Sequence, residues 1–191
     1  MPKLSRPYYL TPDVADLAKD LLGKVLCTSI DGVMTTGMII ETEAYAGAID
    51  KASHAYGNKM TNRTKTMYLE GGCSYVYLIY GMHHLFNVVS NIEGIPHAVL
   101  IRGIEPIEGV EEMIKRRGGK VKKKFTTGPG TLSQAMGIKT SHDKFDLVGD
   151  TIWIEDRGIT IKPSTIKARP RIGVDYAEDH ALWEWNFYIE K

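Results

Sequence analysis

The spacing of apolar residues near the N-terminus predicts a short amphipathic helix. Four of them recur at intervals of three and four residues and so share one helical face: Val14, Leu17, Ala18 and Leu21. Thr11-Pro12-Asp13 precedes them and offers a threonine N-cap, a proline at the first helical position and an acid in the first turn. We therefore expect this helix to start at Thr11 and to end at Gly23.

Alternating and β-branched apolar runs further along the chain predict strands joined by hairpins. Residues 24–43 hold two such runs on either side of Asp31-Gly32, a pair favoured in two-residue type I′ turns. Residues 75–90 hold two more, which meet at Gly81-Met82, and residues 98–104 predict another strand. Shorter strands are expected near residues 151–154, 158–162, 171–175 and 186–190.

Two further helices are predicted from proline and glycine signals. Pro106 is expected to open a helix whose apolar face holds Ile107, Val110 and Ile114. Gly128-Pro129-Gly130 is expected to lead into a second, shorter helix. Because most strands are joined by hairpins, these helices are expected at the periphery of an antiparallel sheet.

The complete pattern predicts an α+β fold. We expect a single domain over residues 1–191, with a curved, mostly antiparallel, open-barrel-like sheet, peripheral helices and a protruding β-hairpin tipped by Tyr80. Residues 46–74 are rich in glycine and polar residues and predict a long irregular segment. Segments of this kind often carry function.

Composition narrows the class of protein. Apolar residues make up 43% of the chain and charged residues 25%, as in ordinary globular domains. No run approaches the roughly 20 apolar residues that cross a bilayer, and the first residues lack the apolar core of a secretion signal. We therefore expect no membrane partner, and residence in the cytoplasm, or in the nucleus of a eukaryote. Cys27 and Cys73 cannot form a four-ligand metal site and are expected to be buried thiols.

Basic residues are unevenly distributed although the net charge is only +1. Seven of the ten residues from 115 to 124 are basic, and a second basic group lies between residues 162 and 171. Such clusters attract phosphates without reading base sequence. DNA-backbone contacts are expected from Lys115, Arg116, Lys122, Lys123, Arg169 and Arg171. From charge alone, a solvated loop is an equally good interpretation.

Several side chains have the chemistry of a catalytic or binding site. Glu41, Glu43 and Tyr45 share one face of a strand, and a carboxylate beside an aromatic ring suits a general base next to a stacking platform. A solvated strand end with a salt bridge is the alternative. Tyr80, at a hairpin tip, is placed to wedge into a base stack, or else packs on a neighbouring loop.

Three further polar residues stand in less informative settings. His54 is alone in its segment, and a lone histidine is more often a hydrogen-bonded structural group than a ligand. Asn87 and Arg102 lie in otherwise apolar strands, where a polar side chain requires a partner or a ligand.

Ordered motifs extend over most of the chain. They are Glu-Thr-Glu-Ala-Tyr at 41–45, Ser-His at 53–54, Asn-Arg-Thr at 62–64, Gly-Gly at 71–72, Tyr-Val-Tyr-Leu-Ile-Tyr-Gly-Met at 75–82, Leu-Ile-Arg-Gly-Ile-Glu-Pro-Ile-Glu-Gly at 100–109, Gly-Pro-Gly-Thr-Leu-Ser-Gln-Ala at 128–135 and Ala-Arg-Pro-Arg-Ile-Gly-Val at 168–174. In this order the chain resembles the alkyladenine (3-methyladenine) DNA glycosylase family over about residues 8 to 190. Several motifs at family spacing are far more specific than any single one.

The resemblance implies a set of catalytic and DNA-binding roles. Glu43 would be the general base that activates the attacking water, and Arg102 and the backbone carbonyl of Val174 would help to hold that water. Tyr80 and Met82 would fill the gap that a flipped base leaves in the duplex.

The resemblance also implies how the base is held. Tyr45, His54 and Tyr77 would line the pocket and stack around the flipped base, and the backbone amide of His54 would bond to the base edge. Asn87 would clash with the exocyclic amine of normal guanine.

The activity implied by the resemblance is base-excision repair. A monomer would act on double-stranded DNA that contains a damaged purine, without a metal or other cofactor. Three alternatives remain open from the residues themselves. Glu41, Glu43 and His54 could hold a divalent ion in a phosphodiesterase, and removal of Met1 would expose Pro2 as a Schiff-base nucleophile in a glycosylase–lyase. The basic cluster and Tyr80 alone would suffice for a non-catalytic nucleic-acid-binding module.

Overall fold

A curled antiparallel sheet forms a half-barrel around which the rest of the chain is arranged. The computed structural model describes residues 2–119 and 124–190. In these residues the strands are β1 (Val25–Ile30), β2 (Val33–Tyr45), β3 (Ser74–Ile79), β4 (His83–Ser90), β5 (His97–Glu108), β6 (Ile152–Glu155), β7 (Ile166–Arg169) and β8 (Asn186–Ile189). The spatial order is β3-β4-β5-β2-β1-β6, and β8 pairs with both β2 and β7. The predicted α+β class with a curved antiparallel sheet is confirmed.

The helices are short and flank the sheet. The α-helices are α1 (Arg6–Tyr9), α2 (Val14–Asp20), α3 (Val110–Arg116) and α4 (Pro129–Met136). Single turns of 3₁₀-helix occur at Gly47–Ile49, Tyr56–Asn58, Lys65–Tyr68, Thr140–His142 and Pro163–Thr165, with a longer one at Asp175–Leu182. No helix within the described residues has the length and apolar character that a bilayer crossing needs.

Strand β2 is the centre of the sheet and changes its neighbour along its length. Its first half pairs with β1, its second half pairs with β8, and β5 runs along its other edge. The pairing with β5 skips Ile40 on β2 and then Arg102 on β5, so both strands bulge within a few residues. A bulge bends its strand and redirects a side chain. Here the bulges direct Arg102 toward the carboxylates of Glu41 and Glu43.

Two apolar clusters hold these elements together. The main core joins α2 and α4 to the sheet, and the predicted apolar face of α2 is buried in it. Phe86 on β4 belongs to this core and has no exposed surface. A second cluster, which includes Ala55, Met67 and Tyr75, fastens the irregular segment 46–74 against β3, β4 and β5. This attachment matters because the irregular segment supplies one wall of the site described below.

The predicted Asp31-Gly32 turn is confirmed, whereas the second hairpin turns one residue before the predicted Gly81-Met82. Asp31 and Gly32 have φ of 54° and 74°, as a type I′ turn requires. In the second hairpin, Tyr80 and Gly81 have φ of 52° and 68° and lie, with Met82, between the ends of β3 and β4. The strand after this turn starts two residues earlier than the expected Leu85.

The predicted start of the N-terminal helix is wrong by about two residues. The N-cap is Asp13, not Thr11, because the Asp13 carboxylate accepts from the amides of Ala15 and Asp16 at 2.8 and 2.9 Å. A carboxylate accepts from these amides and its negative charge also complements the positive end of the helix dipole. A threonine hydroxyl can accept from an amide but carries no charge. Gly23 follows the helix with φ of 85°, as expected of a residue after a helix C-terminus.

The helix predicted to open at Pro106 is also wrong. Pro106 lies in β5 opposite Gly37, next to a register shift, where a strand tolerates a residue that has no N–H group. The helix begins only at Val110, after Gly109, whose φ is 70°. By contrast, the helix predicted after Gly128-Pro129-Gly130 is confirmed as α4.

Two of the four short strands predicted in the last quarter are wrong. Strands β6 and β8 confirm the predictions near 151–154 and 186–190, but residues 158–162 and 171–175 form no strand. Strand β7 lies between them, at Ile166–Arg169, where it pairs with β8. The chain leaves the sheet after Arg169, because the next arginine, Arg171, is drawn into a buried ion pair.

Gly47 is a position where a side chain cannot fit. Its φ is +53°, and a Cβ atom would lie 2.4 Å from the Pro96 carbonyl oxygen. We predict that Gly47→Ala lowers the free energy of unfolding by about 2–5 kcal/mol, from the left-handed backbone (about 1–2) and the overpacking (about 1–3) together. Urea unfolding measures the loss.

Gly57→Ala is the matched control for this prediction. Gly57 has φ of +66°, and a Cβ atom there would meet no other atom within 4 Å. Only the backbone cost of about 1–2 kcal/mol therefore applies. Equal losses in the two variants would contradict the packing argument.

Candidate active site

A pocket of about 650 Å³ opens at the edge of the half-barrel. Strands β2 to β5, the irregular segment, the start of α4 and the residues after β7 all contribute to its wall. The predicted site residues that line it are Tyr45, His54, Tyr77, Tyr80, Asn87, Arg102 and Val174. Its volume is within the usual range for a site that encloses a small organic group. The fold thus brings these predicted residues to one place, although they come from distant parts of the chain.

Aromatic rings form one side of the pocket. Tyr75 and Tyr77 alternate along β3, so their rings lie on one face, 5.3 Å apart. The His54 ring meets Tyr77 edge-on at 4.7 Å, and His54 Nδ1 lies 3.0 Å from the Tyr75 hydroxyl. Burial raises the pKa of Tyr75 to about 12 and that of Tyr77 further, so both phenols are neutral at physiological pH.

The Glu43 carboxylate lies directly behind the pocket wall with no exposed surface. Its Oε2 accepts from the Tyr45 hydroxyl at 2.7 Å and from Arg102 Nη1 at 3.4 Å. Its Oε1 accepts from the backbone amide of Ile172 at 2.8 Å and from Asn186 Nδ2 at 3.0 Å. Tyr45 and Arg102 line the pocket themselves, so the carboxylate is separated from it by its own hydrogen-bond donors.

Glu41 is a second carboxylate in the same network. Its Oε1 accepts from Arg102 Nε at 3.3 Å, from Arg169 Nη2 at 2.9 Å and from Asn186 Nδ2 at 2.9 Å. Arg102 and Asn186 therefore bridge the two glutamates. This confirms that Glu41, Glu43 and Tyr45 share one face of β2. The alternative of a solvated strand end is wrong for Glu43, which is fully buried.

Asn87 lies on β4 in the pocket wall. Its Nδ2 donates to the backbone oxygens of Tyr75 at 3.0 Å and Leu85 at 3.4 Å. These bonds satisfy the amide in an otherwise apolar strand and fix the orientation of the side chain. The hydrogen-bond partners that a buried polar side chain requires are therefore supplied here by the backbone of the sheet itself.

The turn between β3 and β4 carries exposed apolar side chains beside the pocket. Tyr80 is 84% exposed and Met82 69% exposed, and Leu78 on the preceding strand is also exposed. Tyr80 lines the pocket, whereas Met82 does not. Large apolar groups in water at the mouth of a pocket indicate a surface that meets a partner.

Comparison with known proteins shows which protein family this chain is similar to. A family model described as methylpurine-DNA glycosylase (MPG) matches residues 8–191. Relatives assigned by name as 3-methyladenine DNA glycosylases include one from Clostridium perfringens (strain 13 / Type A), 47% identical over 98% of this chain and 96% of its own length. Another, from Chlamydia felis (strain Fe/C-56), is 46% identical over 97% of this chain and 95% of its own length.

The chain belongs to the methylpurine-DNA glycosylase family. Membership makes the protein a DNA glycosylase, a hydrolase that cleaves N-glycosyl bonds in DNA repair. The resemblance drawn from the ordered motifs is thereby confirmed. The alternative of a non-catalytic nucleic-acid-binding module is wrong, because the family is one of enzymes.

Two residues expected to contact the DNA backbone of this glycosylase have structural roles instead. The side chain of Arg171 is fully buried and pairs with Asp50, so it cannot reach a phosphate. The side chain of Arg116 is 12% exposed and is held by Glu112 and by the carbonyl of Ile30. In both cases a carboxylate satisfies the guanidinium: Asp50 is far from Arg171 in sequence, and Glu112 is one helical turn before Arg116. Counting charges along the chain does not reveal either ion pair.

The other basic residues of that prediction differ in their surroundings. Lys115 has a side chain that is 81% exposed and near Glu112. Arg169 is half-exposed, with its guanidinium on Glu41 and over the Tyr188 ring. Lys122 and Lys123 lie outside the described residues.

Arg171 instead supports the glycosylase site from behind. Its guanidinium lies 4.9 Å from the Tyr45 ring centroid and donates to the Ala44 carbonyl at 2.9 Å. The next residue, Ile172, supplies the amide that binds Glu43, and Val174 follows in the pocket wall. A single buried arginine thus fixes both a pocket ring and the segment that holds the carboxylate.

Sequence reasoning missed the contributions of Asn186 and Asp50. Asn186 lies in the short apolar strand Asn-Phe-Tyr-Ile, a setting that singled out Asn87 and Arg102 and could have singled out Asn186 as well. Asp50 is a buried carboxylate in the irregular segment and gave no local signal. Within residues 2–119 and 124–190 no three metal-ligating side chains cluster, and Glu41 and Glu43 face arginine and asparagine donors rather than His54.

The buried Arg171–Asp50 pair gives a prediction about stability. Replacing Arg171 by methionine leaves the Asp50 charge buried without its partner, and we expect the free energy of unfolding to fall by about 3–5 kcal/mol. Arg169→Met is the matched control, because that side chain is half-exposed and its ion pair contributes about 0–1 kcal/mol. Chemical unfolding of both variants tests this, and similar losses would argue against a special role for Arg171.

Proposed function

We propose that this protein excises damaged purines, including 3-methyladenine, 7-methylguanine, hypoxanthine and ethenoadenine, from double-stranded DNA and leaves an abasic site. The observation that carries the proposal is the buried Glu43 carboxylate directly behind an aromatic-lined pocket that is large enough for a purine base. We further propose that it acts as a monomer without a metal or other cofactor, because one lesion needs one site and the chemistry requires only water.

The pocket explains why the base must leave the helix. A glycosidic bond inside a duplex is out of reach of a buried carboxylate, so the nucleotide must be flipped outward at a cost of a few kcal/mol. The rings of Tyr45, His54 and Tyr77 would enclose the flipped purine. A cationic alkylated purine gains about 0.5–2 kcal/mol against electron-rich rings relative to a neutral base. Stacking thus favours the alkylated lesions, and the His54 amide would bond to the base edge.

Glu43 would act on a water at the pocket wall. The Arg102 contact at 3.4 Å is the longest of the four to Glu43, so a water can enter between Arg102 and Oε2 with the least loss of bonding. The Val174 carbonyl would complete its coordination. The water oxygen bonds to C1′ of the sugar, the N-glycosyl bond breaks with its electron pair going to the base, and the water proton passes to Glu43. The same carboxylate stabilises the positive charge that develops on the sugar.

Two other features would determine which bases are excluded from the pocket and how the protein binds the DNA around it. The Asn87 side chain is fixed by its bonds to Tyr75 and Leu85, so it would resist the exocyclic amine of normal guanine instead of moving aside. Tyr80 and Met82, both largely exposed at the β3–β4 turn, would occupy the space that the flipped nucleotide leaves. Lys115 is exposed and available for the phosphate backbone.

The decisive variant for this proposal is Glu43→Gln. Glutamine keeps the size of the side chain but cannot accept the water proton, so we predict a loss of base release of about 10²–10⁴-fold. Free base is measured in single turnover on duplex DNA carrying 7-methylguanine or hypoxanthine, with chelator present. Binding to DNA that contains an abasic site serves as the control for folding and DNA affinity.

Each rival has a distinct outcome in the same assay. Loss of wild-type activity in chelator would favour the metal-dependent phosphodiesterase. A covalent DNA adduct trapped by borohydride would indicate a glycosylase–lyase that uses Pro2. Full activity of Glu43→Gln would contradict the assignment of the general base.

A further inference from the structure

A second cleft lies behind the aromatic wall of the pocket. Tyr75 and Tyr77 line both spaces, whereas His54 lines the pocket and Arg63 lines the cleft. Arg63 is exposed, and its guanidinium carbon lies 4.7 Å from the Tyr77 ring centroid. A permanent positive charge therefore stands just outside the pocket, across one ring from the space that a purine would fill.

Arg63 also contacts the histidine of the pocket in a way that determines where its proton lies. Arg63 Nη2 is 3.3 Å from His54 Nε2. A guanidinium has only donors, so Nε2 must accept and cannot carry a proton. The other ring nitrogen, Nδ1, lies 3.0 Å from the Tyr75 hydroxyl and holds the single proton of the ring. These two contacts define a neutral imidazole with its proton on Nδ1.

We propose that Arg63 is a positioning residue that holds His54 as the neutral Nδ1–H tautomer and so keeps positive charge out of the base pocket. The inference rests on the proposed function, in which a cationic purine stacks against this ring. An imidazolium in the same place would repel that purine at close range, whereas the Arg63 charge is separated from the pocket by Tyr77.

The surroundings of His54 agree with this arrangement. Among the described residues, the groups that face its ring are Arg63 from the irregular segment and the neutral phenols Tyr75 and Tyr77 from β3. Burial, followed by the Arg63 charge, lowers the pKa of His54 to about 4. The ring is therefore neutral above that pH, and removing Arg63 moves its protonation to a higher pH.

Nitrogen-15 NMR of the histidine rings reads the tautomer directly. The whole chain has six histidines, and His54→Gln assigns the His54 signals in the labelled protein. In the wild type we expect the Nδ1–H pattern at pH 7 and little protonation at pH 5. Arg63→Lys keeps a side chain that carries only donors and should retain the tautomer. Arg63→Met keeps the packing but loses the donor, and should give mixed tautomers and earlier protonation on acidification.

Base release supplies a second readout. We expect the rate on 7-methylguanine DNA at pH 5.5, relative to pH 7.5, to fall up to about tenfold further in Arg63→Met than in the wild type. The fall stays below that limit because burial, the larger cause of the lowered pKa of His54, persists without Arg63, and only a histidine with its ordinary pKa near 6.5 would be about ten parts protonated to one neutral at pH 5.5. Protonation of every other group is common to both proteins and cancels in this comparison.

The outcomes separate this inference from the proposed function. An Nε2–H tautomer in the wild type, or an unchanged tautomer and titration in Arg63→Met, would overturn the role of Arg63. An identical pH ratio in the two proteins would overturn its effect on the pocket. If the wild type releases no base from any lesion, the proposed function fails, while the NMR comparison still decides the tautomer. Because Arg63 is exposed, thermal unfolding should be nearly unchanged in both variants.

Discussion

The buried Glu43 carboxylate is the group on which the rest of the site depends. Removing a carboxylate from water costs several kcal/mol, and the charge persists only where donors replace the lost hydration. Four donors do so here, and they come from four separate places in the chain. The arrangement of β2, β5, β8 and the segment after β7 can therefore be understood as the framework that brings these donors to one carboxylate.

The irregularities of the sheet serve this framework. The bulge at Arg102 directs its guanidinium toward Glu41 and Glu43, and the change of partner along β2 brings Asn186 beside them. Arg171 then ties the following segment to Asp50, which sets the Ile172 amide in place. Regular pairing throughout would not direct Arg102 toward the carboxylate or bring Asn186 beside it, and would leave it with fewer donors.

Local sequence signals predicted much of this fold. Asp31-Gly32 indicated its hairpin because the backbone of a type I′ turn is demanding, and the alternation in β3 placed Tyr75 and Tyr77 on one face. The ordered motifs identified the family, and with it most of the pocket residues. Their individual roles in catalysis are implied by that resemblance and stay predictions.

The remaining features arise from pairing between residues that are far apart in the chain. Arg171 and Asp50 are separated by 121 positions, and nothing next to either of them indicates a buried ion pair. Pro106 imitates a helix start, yet a register shift beside its partner Gly37 accommodates it in a strand. Asn186 reaches Glu43 only because β8 lies beside β2. Patterns within one segment cannot encode such partners.

The most direct test of this account is single-turnover base release by Asn186→Leu. The substitution keeps the approximate shape of the side chain and removes an amide nitrogen that donates to both Glu41 and Glu43. A hydrogen bond to a charged group contributes about 1.5–3 kcal/mol, so the account predicts a loss of roughly 10–100-fold in the chemical step, with affinity for abasic DNA retained. An unchanged rate in a stably folded variant would contradict the claim that the donors around Glu43 make it an effective base.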